Sequence, residues 1–272
     1  VFWATFFEPP AIERQIAEDQ ITKSEESYSP SIEKIELSKK IERNDVIGSV
    51  DRIKIENSNI KGSISLQGAI IDDVTFKNYK LSLDSDEKVI FLNPKSSPEG
   101  YYIETGWASN SNENLKLPID KTIWKAKGNK VLTPDNPIVL EWDNKEGLIF
   151  TKKIELDDKF LFKISQGIKN NSNKSYEFYP YAQITRNYKP DVIPIYILHE
   201  GFIGMFDDEL TETDYKDIED EKFTTSSSKG WLGITDKYWL TVIVPEKGRK
   251  FKSEFLTSDE KYKANFIIKE PI

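Results

Sequence analysis

Hydrophobic residues occupy every second position over much of the chain beyond Gly48. Ile60, Ile64 and Leu66 are spaced in this way, and Ile70 follows in phase with them. Such alternation is typical of β-strands that bury one face and expose the other. Similar segments begin near Val74, Leu81, Val89, Tyr101, Ile138, Leu148, Phe160, Tyr176, Ile193 and Phe251, and the second of them pairs Leu81 with Leu83.

Turn-forming residues separate these segments at short intervals in the middle of the chain. Polar runs at 143–147, 157–159 and 170–174 separate four alternating segments, and residues 108–114 are expected to form a further polar loop. Strands that follow each other at intervals of about eight to twelve residues, without helical stretches between them, favour an antiparallel sandwich. We therefore predict an all-β fold with few, short helices.

Residues 229–245 carry three aromatic rings and a nearly continuous apolar run. Leu240 to Val244 is interrupted only by Thr241, and the stretch ends at Pro245. A largely unbroken β-branched run between chain breakers is typical of a strand buried on both faces. We expect this segment to be a core strand.

The first 48 residues differ in composition from the rest. Residues 1–7 are apolar and too few to cross a bilayer, which needs about twenty. They are either the outer end of a membrane helix or an apolar patch at a mature terminus, and we favour the membrane helix. Residues 8–48 are rich in charge and poor in large apolar groups, which predicts a flexible or partly helical tether. A globular domain is then expected over residues 49–272.

Composition excludes several kinds of chemistry. The chain has 272 residues, a net charge of -8 and a pI near 5.0, which disfavours a nucleic-acid partner because no basic stripe is available. With no cysteine and only His199, thiol nucleophiles and cysteine-bound zinc are absent, and a serine hydrolase triad is not indicated. We expect His199 to be a hydrogen-bonded structural residue, and we expect no cofactor, no metal and no catalytic residues. Paired carboxylates of the kind used in glycoside hydrolysis stay open from sequence.

Residues 207–221 are strongly acidic but lack the spacing of a calcium-binding loop. We expect a solvated loop there. The aromatic residues should mostly pack in the core, and a minority could line a sugar or peptide groove; the most conspicuous are Trp107, Trp124, Trp142, Trp231, Tyr238 and Trp239. The candidate contacts to a protein partner are Asp207, Asp208, Asp214, Asp217 and Glu219.

Several motifs together resemble the large periplasmic domain of the Gram-negative YidC membrane insertases. The most specific is GWLGITDKYWLTVIVP at 230–245. The others are GSISLQGAIIDDV at 62–74, LTPDNP at 132–137 followed by the meander from Trp142 to Arg186, HEGFIG at 199–204 and DYKDI at 214–218. The resemblance runs in order from about Val50 to Ile272.

This resemblance implies a β-supersandwich similar to galactose mutarotases, placed in the periplasm between the first two helices of an inner-membrane protein. The insertase core would then lie beyond Ile272, and membrane anchoring would come through helices outside this chain. The implied partners are the protein translocation machinery and nascent membrane proteins. A mutarotase-type site looks for a pair of histidines with a carboxylate, and His199 is alone. We thus expect a non-catalytic domain that assists insertion and folding; the alternative is a periplasmic carbohydrate-binding or carbohydrate-active protein of the same fold.

Overall fold

The computed structural model describes residues 43–110, 115–190 and 199–272. Within these ranges the chain forms two short helices and eighteen strands, which confirms the predicted all-β fold with few helices. The helices are α1 (Arg43–Ser49) and α2 (Tyr215–Asp220). The strands are β1 (Arg52–Glu56), β2 (Ile60–Ser65), β3 (Ile70–Lys80), β4 (Lys88–Leu92), β5 (Tyr101–Ser109), β6 (Lys125–Lys127), β7 (Val131–Leu132), β8 (Ile138–Asp143), β9 (Leu148–Leu156), β10 (Phe162–Asn170), β11 (Phe178–Arg186), β12 (Gly201–Phe206), β13 (Glu209–Asp214), β14 (Phe223–Ser227), β15 (Gly230–Thr235), β16 (Leu240–Ile243), β17 (Phe251–Ser258) and β18 (Lys261–Ile268).

The strands form one large sheet and two small ones. The large sheet has the order β14-β17-β18-β11-β5-β3-β2-β1-β7, with β4 also paired to β3. The first small sheet has the order β10-β9-β8-β6, and the second has the order β13-β12-β15-β16. Among the described strands, all pairs are antiparallel except β1 with β7. We refer to these as the large sheet, the first small sheet and the second small sheet.

Both small sheets pack on the same face of the large sheet. Thr105 of β5 lies opposite Ala182 of β11, which lies opposite Phe266 of β18, so these residues share one face. At one end of that face, the ring of Trp107 from β5 lies 5.2 Å from that of Phe150 in the first small sheet. At the other end, the ring of Phe255 from β17 lies 5.2 Å from that of Phe202 in the second small sheet. Side chains from all three sheets therefore form one sandwich core.

The opposite face of the large sheet is polar. Glu104, Gln183, Asn265 and Glu254 lie opposite one another on four neighbouring strands. The Gln183 amide donates to Oε1 of Glu104 at 3.0 Å, and Glu254 lies 3.3 Å from the ammonium group of Lys252. Such contacts compensate for placing polar side chains at strand positions with little exposure.

Residues 229–245 do not form one strand buried on both faces, as the sequence predicted. They form a hairpin of β15 and β16 with residues 236–239 as the loop, in which the Asp236 N–H donates to the Trp239 carbonyl at 2.8 Å. Leu240 and Val244 are 44% and 64% exposed. The prediction was wrong because β16 lies at the end of its sheet, so an apolar run there reflects a surface groove as well as the core.

Two further expectations were wrong in detail. Leu81 and Leu83 are not strand residues, because β3 ends at Lys80 and both side chains are exposed in the turn before β4. The acidic run is not a loop, since it contains β13 and α2. Its acidic side chains are nevertheless exposed, as expected for solvated charges.

Some predictions concern residues outside the described ranges. They include the apolar segment at 1–7, the tether as far as residue 42, the last residues of the 108–114 loop and the strand near Ile193. The part of the proposed tether that the structure describes lies in α1. There Arg43 forms an ion pair with Asp73 of β3.

Candidate functional site

An apolar groove lies between the two small sheets. Its volume is about 430 Å³. One side is the end strand β10 of the first small sheet, the other is the end strand β16 of the second, and the floor is the large sheet. The floor includes Ile71, Val74, Ile103, Thr105, Ala182 and Phe266.

Aromatic rings form one wall of the groove around Phe76. The ring of Phe76 lies 4.6 Å from Trp239, 4.8 Å from Phe91 and 5.7 Å from Phe160, measured between centroids. Tyr79 also lies 4.8 Å from Trp239, edge to face. These contacts bring together three regions that are far apart in sequence, and they leave a continuous aromatic surface facing the groove.

The side chains at the rim are apolar and substantially exposed. Leu161 and Val244 are each 64% exposed, and Phe160 is 47% exposed. Contiguous exposed apolar surface of this kind marks binding sites in soluble domains more often than it marks inert surface. The groove can therefore take up an apolar ligand without exposing new hydrophobic surface first.

Strand β16 presents its backbone edge to the groove. Six consecutive residues, 239–244, line the groove, and β16 pairs only with β15 among the described strands. Alternate N–H and C=O groups of such an end strand are open to an added strand. Gly233 of β15 allows β16 to lie this close, because a Cβ there would fall 2.0 Å from the carbonyl oxygen of Thr241.

Arg186 anchors the loop that carries Trp239. Its guanidinium donates to Oδ1 of Asp236 at 2.5 Å and to the Tyr215 hydroxyl of α2 at 3.2 Å. It also stacks on the rings of Tyr101 and Tyr188, at 4.8 and 4.5 Å from their centroids. Burial opposes the charged form, but Tyr215 and Asp236 outweigh it and raise the pKa of Arg186 above its ordinary value. The β15–β16 loop is consequently tied to the large sheet.

The polar end of the groove contains Gln166 on β10 and Thr105 on β5. Next to them the ammonium group of Lys152 is fully buried and donates to the Thr105 carbonyl at 2.6 Å. Burial lowers the pKa of Lys152 to about 7. The Trp124 ring, 5.0 Å away, favours the charged form.

The five acidic residues proposed as partner contacts do not converge. Asp207 and Asp208 lie in the β12–β13 turn, where Asp207 accepts from the Ser228 N–H at 3.1 Å and Asp208 pairs with Lys229. The other three lie at the opposite end of β13 and in α2; they are Asp214, Asp217 and Glu219.

Hydrogen bonding also differs among the acidic residues near α2. Glu219 accepts from the Tyr262 hydroxyl at 2.5 Å and from the Lys189 ammonium at 2.9 Å, and these two donors lower its pKa. Asp214, with its side chain 69% exposed, lies 3.4 Å from Nδ1 of His199. Glu219 is therefore partly structural, whereas Asp214 and Asp217 keep exposed carboxylates.

His199 has the structural role expected from the sequence. Its Nε2 is hydrogen-bonded to the Phe202 carbonyl at 2.8 Å. Over the described ranges, no group of three His, Asp or Glu side chains is arranged to hold a metal ion.

The sequence contained a signal for the groove that strand alternation does not explain. Phe160, Leu161 and Phe162 are consecutive apolar residues, as are most of residues 239–244. Consecutive apolar residues at an end strand place apolar side chains on both faces of that strand. Neither run could be assigned to a groove before the topology placed β10 and β16 on the same face.

The described residues thus form an all-β sandwich with an open apolar groove between its two small sheets. The chain belongs to the YidC periplasmic domain family, whose model matches residues 52–272. It is similar to proteins named membrane protein insertase YidC. The relative from Pelagibacter ubique is 45% identical, over 98% of this chain and 48% of that protein. The relative from Rickettsia bellii is 35% identical, over 97% of this chain and 48% of that protein.

A third relative, from Bradyrhizobium diazoefficiens, is 39% identical over 79% of this chain and 35% of that protein. The chain thus spans about half the length, or less, of the curated relatives that it matches. In the three described ranges, no helix is both long and apolar enough to cross a bilayer.

Proposed function

We propose that this domain is a non-catalytic accessory domain of a membrane protein insertase and that its groove holds apolar segments of nascent membrane proteins. The observation that carries the proposal is the open apolar groove between β10 and β16. Supporting it, relatives that cover nearly all of this chain are named membrane protein insertases. Such proteins act on substrates rich in long apolar segments.

The groove favours an extended segment over a folded helix. A helix is about 10 Å across with its side chains, and it has no free backbone groups for the edge of β16 to pair with. An extended segment can add to β16 through backbone hydrogen bonds and place alternate side chains against the aromatic wall around Phe76. Backbone pairing is independent of sequence, so one groove can accept many apolar segments.

The proposed setting is the periplasm, with anchoring in the inner membrane through helices outside this chain. The translocation machinery is a second proposed partner, through the exposed carboxylates of Asp208, Asp214 and Asp217. The alternative of a carbohydrate-active protein is less supported, because the relatives are named as insertases.

Titration of the chain with apolar peptides tests the groove. Because Trp239 lines it, its fluorescence should change on binding, with Trp239→Phe identifying that signal. The variant Val244→Arg should weaken peptide binding at least about tenfold, since it places a charge on apolar surface without disturbing a buried position. Ile119→Arg is the matched control, because Ile119 is similarly exposed but does not line the groove.

Equal affinity of the chain and Val244→Arg for apolar peptides would reject the groove as the binding site. Binding of sugars in place of peptides would favour the carbohydrate alternative. Peptides in which alternate backbone amides are N-methylated should bind more weakly than their parents, since they cannot pair with β16.

A further inference from the structure

Apolar side chains project from the tips of three neighbouring loops. Leu83 in the β3–β4 loop is 99% exposed, Tyr238 in the β15–β16 loop is 72% exposed, and Leu81 is 67% exposed. Phe160 and Leu161 in the β9–β10 loop complete the set. We call these five residues the apolar tips.

The three loops are neighbours in space. Phe76, in the strand before Leu81, contacts Phe160 with 5.7 Å between ring centroids. Tyr79, two residues before Leu81, contacts Trp239, the residue after Tyr238, at 4.8 Å. The apolar tips therefore surround one region of the molecule, although they come from three distant parts of the sequence.

The backbone of the β9–β10 loop is hydrogen-bonded within the loop and to the β1–β2 turn. Oδ1 of Asp157 accepts from the N–H groups of Lys159 and Leu161 at 2.9 and 2.8 Å. The Asn57 amide donates to the carbonyls of Asp157 and Lys159 at 2.8 and 2.9 Å. Asn59 donates to the Asp158 carbonyl at 2.8 Å. This loop can enter an apolar medium without leaving these backbone groups unpaired.

The other two loops have internal bonds of the same kind. The Leu81 N–H donates to the Glu87 carbonyl at 2.9 Å, and the Asp236 N–H donates to the Trp239 carbonyl at 2.8 Å. Lysines flank the tips, namely Lys80, Lys88, Lys159 and Lys237. Lys80 is paired with Asp86 at 2.7 Å. The ammonium groups of the other three can reach lipid phosphates while their stems follow the apolar side chains.

We propose that the apolar tips insert into the headgroup region of a lipid bilayer. The tips lie on three separate loops and project from the surface, so lipids can pack around each of them, whereas a protein partner needs a broad complementary face. Leucine, phenylalanine and tyrosine with flanking lysine are suited to the boundary between headgroups and acyl chains. Acidic residues such as Asp84 and Asp86 share these loops, so binding depends mainly on apolar insertion. Phe160 and Leu161 also line the groove, whereas Leu81, Leu83 and Tyr238 do not. The apolar tips therefore continue outward from the groove rim, and the proposal does not depend on which apolar ligand the groove binds.

Single-cysteine labelling tests the proposal, because the chain has no native cysteine. A polarity-sensitive fluorophore is attached to Leu83→Cys, to Leu161→Cys and to the control Asn173→Cys. Asn173 is exposed in the turn at the far end of β10. The whole chain is mixed with phosphatidylcholine vesicles, with or without phosphatidylglycerol, some containing acyl-chain-brominated lipid as a quencher.

In both vesicle types, the fluorescence emission of the labels at 83 and 161 should shift to the blue and be quenched by brominated lipid. The emission of the label at 173 should show neither change. Adding Leu81→Ser and Leu83→Ser should lower vesicle partitioning reported by the label at 161 about tenfold. Vesicle binding that leaves the labels at 83 and 161 unchanged would overturn the proposal, since the apolar segment at 1–7 would then account for it. The absence of vesicle binding, or a blue shift that follows protein concentration without vesicles, would also overturn it.

Discussion

Lys152 and Gln166 lie opposite each other on β9 and β10 and donate hydrogen bonds to consecutive carbonyls of β5. Lys152 reaches Thr105 at 2.6 Å, and Gln166 reaches Gly106 at 2.8 Å. Through these two bonds the first small sheet is attached to the large sheet beside the groove. One of the two donors is titratable and the other is not, which makes them a matched pair for measurement.

The variant Lys152→Met should be more stable relative to the parent chain at pH 7 than at pH 10. Burial lowers the pKa of Lys152 to about 7 in the folded state, whereas an unfolded lysine has a pKa near 10.4. Between these values the unfolded chain binds more protons, so the parent's free energy of unfolding rises with pH. Through this lysine, the parent's free energy of unfolding should rise by about 3 kcal/mol from pH 7 to pH 10. Lys152→Met should lack this rise.

Denaturant unfolding of both proteins at several pH values measures this difference. Gln166→Met is the control, because its stability relative to the parent should not vary with pH. A constant difference between parent and Lys152→Met across this range would show that the lysine is not buried as described.

Replacing Arg186 by lysine should destabilise the domain by about 3 kcal/mol. Lysine keeps the charge but cannot stack on Tyr101 and Tyr188 or bond Asp236 and Tyr215 at the same time. Because Asp236 lies in the same loop as Trp239, the Trp239 side chain should also become more exposed to solvent, and its fluorescence should report this change. Unchanged stability and fluorescence in Arg186→Lys would contradict the anchoring role.

Gly233→Ala should displace β16 and destabilise the domain by about 2 kcal/mol or more. The added Cβ would lie 2.0 Å from the carbonyl oxygen of Thr241 in the neighbouring strand, and this backbone atom cannot move aside as a side chain could. Gly48→Ala is the control, because Gly48 has no neighbour within 4 Å of such a Cβ. The melting temperature should fall for Gly233→Ala alone, and equal effects at both glycines would argue against close packing of β15 and β16.

The acidic residues should separate into structural and surface groups. Glu219→Gln should lower stability modestly, since its carboxylate accepts from Lys189 and Tyr262, whereas Asp217→Lys should not. If the exposed acids bind the translocation machinery, Asp214→Lys and Asp217→Lys should weaken co-purification of that machinery with the longer protein. Normal co-purification with both changes present would remove these residues as partner contacts.

Strand alternation predicted most of the large sheet and the meander of β8, β9 and β10, because a strand with one buried face carries a period of two. It failed at Leu81 and Leu83, where two leucines with the same spacing lie in a turn. It also failed at residues 229–245, because a groove beside an end strand demands apolar residues just as a core does. Local sequence does not distinguish these two environments.

The groove could not be located from sequence, since it depends on the large sheet placing β10 and β16 on one face. Phe76 and Trp239 are distant in sequence, and their contact at 4.6 Å is a product of that topology. The exposure of the five acids, in contrast, was foreseeable from charge alone. Their distribution over two ends of β13 was not.

Site-specific photocrosslinking during membrane protein synthesis tests whether the groove holds nascent apolar segments. A photoreactive amino acid replaces Val244 in the longer protein that we propose carries this domain, and Ile119 serves as the control position. Crosslinks to the apolar segments of newly made membrane proteins are predicted from position 244 and not from position 119. No crosslink from 244, or equal crosslinking from both positions, would contradict the proposed function.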